Sequence, residues 1–80
     1  ADVAAGYNNL GILLDALGET DKAREDYEKA LAISLKLFGE EHEDVATSYN
    51  NLGLLFNTLG ETDKAREYHE KSLATYLKLF

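Results

Sequence analysis

Asparagine supplies the most suggestive chemistry in this chain. Adjacent pairs stand at Asn8 and Asn9 and again at Asn50 and Asn51. A carboxamide carries both a donor and an acceptor, so a row of them can satisfy a peptide backbone without reading its side chains. The other polar groups are less well arranged. Ser, His and acidic residues occur, but no nucleophile elbow, phosphate-binding loop or His-Glu-x-x-His spacing gathers them into a catalytic pattern. His42 and His69 each lack a second His at helical spacing, which makes either a poor metal ligand. The acids at Glu40, Glu41, Glu43 and Asp44 lack the alternating ligands and central glycine of an EF-hand loop. They read as helix caps and solvated turns rather than as paired catalytic carboxylates. The expectation is a protein with no catalytic residue, no metal and no cofactor.

The Asn pairs recur because nearly the whole chain recurs. Tyr-Asn-Asn-Leu-Gly at 7–11 returns at 49–53, and Leu-Gly-Glu-Thr-Asp-Lys-Ala-Arg-Glu at 17–25 returns at 59–67, a period of 42 residues. Of the 37 positions paired between 2–38 and 44–80, 26 are identical. A fixed period of this size marks a stack of supersecondary units, each too small to bury its own apolar face.

Each unit reads as two helices. Val3, Tyr7, Leu10, Leu14 and Leu17 fall at three- and four-residue spacing and predict a helix over roughly 3–17. Gly18 suits its C-terminal end, and Thr20 or Asp21 opens the next helix. That second helix runs to Phe38 with Ala23, Tyr27, Ala30, Leu31, Leu35 and Phe38 on one stripe, and Gly39 closes it. The second copy predicts helices over about 44–59 and 63–80. Glycine inside a helix costs about 1 kcal/mol relative to Ala. Gly11 is repeated as Gly53, which points to close helix packing; Gly6 becomes Ser48 and carries no such reason.

Composition narrows the partners. The 80 residues are 45% hydrophobic and 29% charged, ordinary for a globular chain. A net charge of −7 argues against nucleic acid and against an anionic membrane surface. No apolar run approaches the eighteen or so residues of a membrane span. Without cysteine there is no disulfide or thiolate site. Methionine is absent even at position 1, which, with the high identity of the two copies, suggests a processed, excised or engineered piece.

Tyr7, Leu10, Gly11, Leu14, Gly18, Ala23, Tyr27 and Ala30, with Tyr49, Leu52, Gly53, Phe56, Gly60 and Ala65 in the second copy, make the chain resemble the tetratricopeptide repeat. The usual period is about 34 residues, and the longer unit, with Asp-Val-Ala-Thr-Ser-Tyr-Asn-Asn-Leu-Gly at 44–53, is similar to the repeats of kinesin light chain. The resemblance implies an all-α fold: two stacked helix-turn-helix hairpins, a fragment of an α-solenoid. It implies one domain over 1–80, with repeat 1 at 2–43 and repeat 2 at 44–80. It also implies a soluble, cytoplasmic, non-enzymatic interaction scaffold that binds a protein or peptide in a concave groove formed by the first helix of each hairpin. Carried over by motif position, that groove holds Ala5, Asn8, Asn9, Ile12, Asp15 and Ala16 from repeat 1 and Thr47, Asn50, Asn51, Leu54, Asn57 and Thr58 from repeat 2. Asn9 and Asn51 resemble the backbone-binding residues of such arrays. No Lys or Arg is among these positions, so a neutral or basic peptide is the expected guest.

Three departures from the family bear on assembly. Only two repeats are present, leaving Val3 and Tyr7 at one end and Tyr76, Leu77 and Phe80 at the other as candidate self-association faces. His69, Ser72 and Thr75 replace Tyr27, Ala30 and Ile33, and lie along one side of the last helix as either a partial polar cap or sequence drift. The turn also lacks the Pro that commonly follows its His, with Glu43 in that place. Gly39 and Glu43 then form a candidate hinge at which two helices could fuse and hairpins exchange between copies. An excised or engineered unit that self-associates by stacking or swapping is the alternative to a peptide-binding scaffold.

Overall fold

A computed structural model describes residues 2–79, without the side chain of Asp2. Four helices follow one another: α1 (Asp2–Ala16), α2 (Thr20–Phe38), α3 (Glu43–Thr58) and α4 (Thr62–Leu79). Helices α1 and α2 form one antiparallel hairpin, α3 and α4 a second, and the hairpins join mainly through α2 against α3, with α1 touching α3. The boundaries lie within two residues of those expected from the apolar stripes, the ordinary uncertainty of helix ends.

The turns are built by backbone hydrogen bonds that the sequence announces with glycine. Glu19 N donates to Leu14 O at 2.8 Å and Gly18 N to Asp15 O at 3.0 Å, and the pattern repeats from Glu61 to Phe56 at 2.9 Å and from Gly60 to Asn57 at 3.1 Å. These six-to-one and five-to-two bonds satisfy carbonyls the helix would leave open, and need a left-handed residue at Gly18 and Gly60. Between the hairpins Gly39 takes φ 78° and ψ −177°, a region essentially confined to glycine. His42 then caps α3, its Nδ1 accepting from Asp44 N at 3.0 Å. Its place two residues before Asp44 at a helix start is the sequence signal for this cap, a role distinct from the metal ligation that its spacing argues against.

The core sits between α2, α3 and α4. Ala23, Tyr27, Leu52, Leu55, Phe56 and Ala65 form its buried cluster, with Leu14, Leu31 and Tyr68 packed against it. Identical residues fare differently in the two copies. Val3, Leu10 and Leu13 are 62%, 44% and 56% exposed, whereas Val45, Leu52 and Leu55 are 0%, 0% and 1% exposed. Full burial of such a side chain contributes about 1.5–3 kcal/mol, so α3 gains what α1 forgoes. The reason is position: α3 lies between α2 and α4, while no helix covers the outer side of α1. The apolar stripe of α1 thus splits, with Val3, Leu10 and Leu17 exposed and Tyr7 and Leu14 half-buried.

The side of α4 carrying His69, Ser72 and Thr75 is not an outward polar cap. Ser72 and Thr75 are buried, and His69 rests on Gly53 of α3. Ser72 Oγ donates to Ala46 O at 2.9 Å, Thr75 Oγ1 to Lys71 O at 3.0 Å, and His69 Nδ1 lies 3.1 Å from Asn50 Oδ1. Three-residue spacing put them on one side of the helix correctly, but that side faces inward, and the polar atoms are accommodated by hydrogen bonds. At Gly11 and Gly53 an added Cβ would meet Tyr27 and His69 at 2.7 Å, whereas nothing lies within 4 Å at Gly6. Close packing is therefore the reason for the repeated glycine.

Candidate functional site

Where α1 and α3 run side by side they enclose a cleft of about 300 Å³, lined by Ala4, Ala5, Asn8, Asn9 and Ile12 of α1, by Asp44, Thr47 and Asn51 of α3, and by Ser34 of α2. Helical spacing explains the α1 wall, since residues four apart share a face. Ser34 is fully buried, and its Oγ has no hydrogen-bond partner among the described residues.

Of the expected groove residues, the cleft brings together Ala5, Asn8, Asn9, Ile12, Thr47 and Asn51. Asp15, Asn50, Leu54 and Asn57 do not line it. Asn51 Nδ2 donates to Asn8 Oδ1 at 3.4 Å, tying α1 to α3. Asn50 turns toward α4 and His69 instead. Asn8, Asn50 and Asn51 thus each bond to a neighbouring helix, while the exposed carboxamide of Asn9 makes no hydrogen bond within the described residues. Asp44 and Ser34 were not expected in the site. Asp44 stands at the start of α3, where its charge complements the helix dipole, and its carboxylate is 4.0 Å from His42 Nδ1.

The cleft holds hydroxyl, carboxamide and methyl groups with one carboxylate and no cation. Such a lining can both donate and accept hydrogen bonds. Among the described residues no three His, Asp or Glu side chains gather as a metal site requires, and no helix is long and apolar enough to cross a membrane. The proposed end-face residues Val3 and Leu77 are exposed, Tyr7 and Tyr76 half-buried; Phe80 lies outside the described residues. Leu10, Leu13 and Leu73 are also exposed.

The tetratricopeptide repeat profile matches residues 2–78. No curated protein matches the chain. Among solved structures, the crystal structure of BtubC (BKLC) from P. vanneervenii is similar, with a TM-score of 0.84 and 39% identity over 95% of this chain. The chain spans 30% of that protein's length. With the 42-residue period, the paired hairpins and the matched profile in agreement, the chain belongs to the tetratricopeptide repeat family, whose members generally act as non-enzymatic scaffolds for protein–protein contact.

Proposed function

We propose that the chain binds an extended peptide segment of a partner protein in the cleft between α1 and α3, and that the guest is neutral or basic. The observation that carries this reading is the lining itself: carboxamides from both helices, the unengaged one of Asn9 among them, beside Asp44 and without a Lys or Arg. Asn9 and Asn51 bond the guest's backbone, Ile12 and Ala5 contact its apolar groups, and Asp44 favours positive charge. A cleft shared by two hairpins is short, so single-site binding is weak. The test is fluorescence anisotropy with labelled peptides of equal length and of neutral, basic or acidic composition. Neutral or basic peptides are expected to bind and to weaken about tenfold, the effect of about 1.4 kcal/mol, on Asn9→Ala or Asn51→Ala. Preference for acidic peptides, or indifference to both substitutions, overturns the reading.

A second reading is self-association, as an excised or engineered repeat unit would show. It is favoured by the exposed apolar side chains at the two ends, Val3 with Leu10 and Leu13 on α1 and Leu73 with Leu77 on α4. Hairpin swapping about Gly39 and Glu43 is the other route to the same outcome.

A further inference from the structure

Resting on the peptide-binding reading, we propose that the floor of the cleft between α1 and α3 is a pocket for one lysine side chain of the guest, with Ser34 as its deepest contact. Ser34 stands apart from the rest of the lining. It comes from α2, which packs on both walls, and it is fully buried, yet its Oγ has no hydrogen-bond partner among the described residues. A buried hydroxyl without a partner destabilises a fold, and alanine would occupy the same place without that loss. The repeat itself does not call for serine there, since the residue 42 positions on is Tyr76. A guest group that reaches the floor supplies the partner that the chain withholds. Ser48 is the internal comparison: its Oγ is equally buried and unpartnered among the described residues, but it does not line the cleft.

The chemistry of the lining selects the head group. Ser34, Thr47, Asn9 and Asn51 offer acceptor oxygens, Asp44 adds the one formal charge, and no cation is present. Asn51 gives its amide to Asn8, so its own oxygen remains for a guest. An ammonium carries three donors and no acceptor, the complement of this set. Glu43 and Asp44 both stand in the first turn of α3, where they offset the positive end of that helix. The stem is provided for as well. Ala4, Ala5 and Ile12 line the same cleft, and the methylenes of lysine bury well along apolar groups while the head keeps its polar contacts. At about 300 Å³ the cleft lies at the small end of ligand pockets, which suits one side chain rather than a run of them. Arginine fits less well, because its rigid fork favours a bidentate carboxylate, whereas the oxygens here come singly from different side chains.

The experiment is fluorescence anisotropy of the whole chain with labelled neutral peptides of equal length that differ only at a central position: lysine, acetyl-lysine, arginine or alanine. Acetylation keeps the stem and removes the charge. The lysine peptide is expected to bind about tenfold tighter than the acetylated and alanine peptides, the gain from charge-assisted hydrogen bonds. Ser34→Ala is expected to remove most of that preference without lowering the urea midpoint, which separates a lost contact from a lost fold. Ser48→Ala is expected to leave the preference as it is. Binding that depends on Asn9 and Asn51 but shows no preference for lysine overturns the pocket and leaves the peptide-binding reading standing. A preference that survives Ser34→Ala does the same, since water rather than the guest then meets the hydroxyl. Arginine bound as tightly as lysine overturns the choice of head group. Absence of binding by every peptide overturns the peptide-binding reading itself, and the pocket with it.

Discussion

His69 lies across Gly53 so closely that a Cβ on that glycine would stand 2.7 Å from the imidazole, and Tyr27 meets Gly11 at the same distance. Replacing Tyr27 by His69 therefore preserves a ring seated on a glycine while adding a hydrogen-bonding nitrogen beside Asn50. Gly53→Ala gains about 1 kcal/mol of helix propensity and incurs about 1–3 kcal/mol of overpacking. A net loss of stability is expected in urea denaturation. Gly6→Ala, with open space around it, should gain the propensity alone. Equal effects at the two sites would contradict the packing account.

Two buried serines should respond in opposite ways. Ser72 Oγ bonds to Ala46 O at 2.9 Å, so Ser72→Ala removes a buried hydrogen bond and should cost about 1–2 kcal/mol. Ser34 Oγ has no partner among the described residues; Ser34→Ala should be neutral or stabilising in the same denaturation assay.

Glu43 is the first residue of α3 and follows His42, whose φ of −144° and ψ of 145° suit the residue before a proline. Proline is favoured at that first helical position. Glu43→Pro should leave stability unchanged or raise it by about 0.4–1 kcal/mol, while blocking any fused helix. A self-associated species that disappears on this substitution is a hairpin swap; one that persists comes from stacking.

Burial, and secondarily the Asp15 carboxylate, raises the Tyr27 phenol above its ordinary value of 10.0. The folded chain then keeps that proton to higher pH than the unfolded chain does. The linked stability is complete below about pH 10 and is lost as pH rises from the unfolded value through the folded one. Urea midpoints measured at pH 9 and 11 should fall more for the wild-type chain than for Tyr27→Phe.

The 42-residue period made the four helices and the all-α stack legible, because repetition marks the same turn glycines and apolar stripes twice. It did not reveal which apolar side chains are covered. Leu10 and Leu52 are the same residue in the same local sequence, and only the neighbouring hairpin decides that one is exposed and the other buried. Periodicity likewise put His69, Ser72 and Thr75 on one side of a helix without saying which side faced α3. In the candidate cleft, motif position found the Asn pairs on the right helices. It could not foresee that Asn50 would turn to His69, or that Ser34 of a different helix would close the floor.

The 3.4 Å bond from Asn51 to Asn8 is long for a hydrogen bond, and it joins α3 to α1 where the two hairpins meet beside the α2–α3 contact. On the proposed reading, a guest backbone that takes over the Asn51 donor would release that tie, and the hairpins would exchange a contact with each other for a contact with the guest.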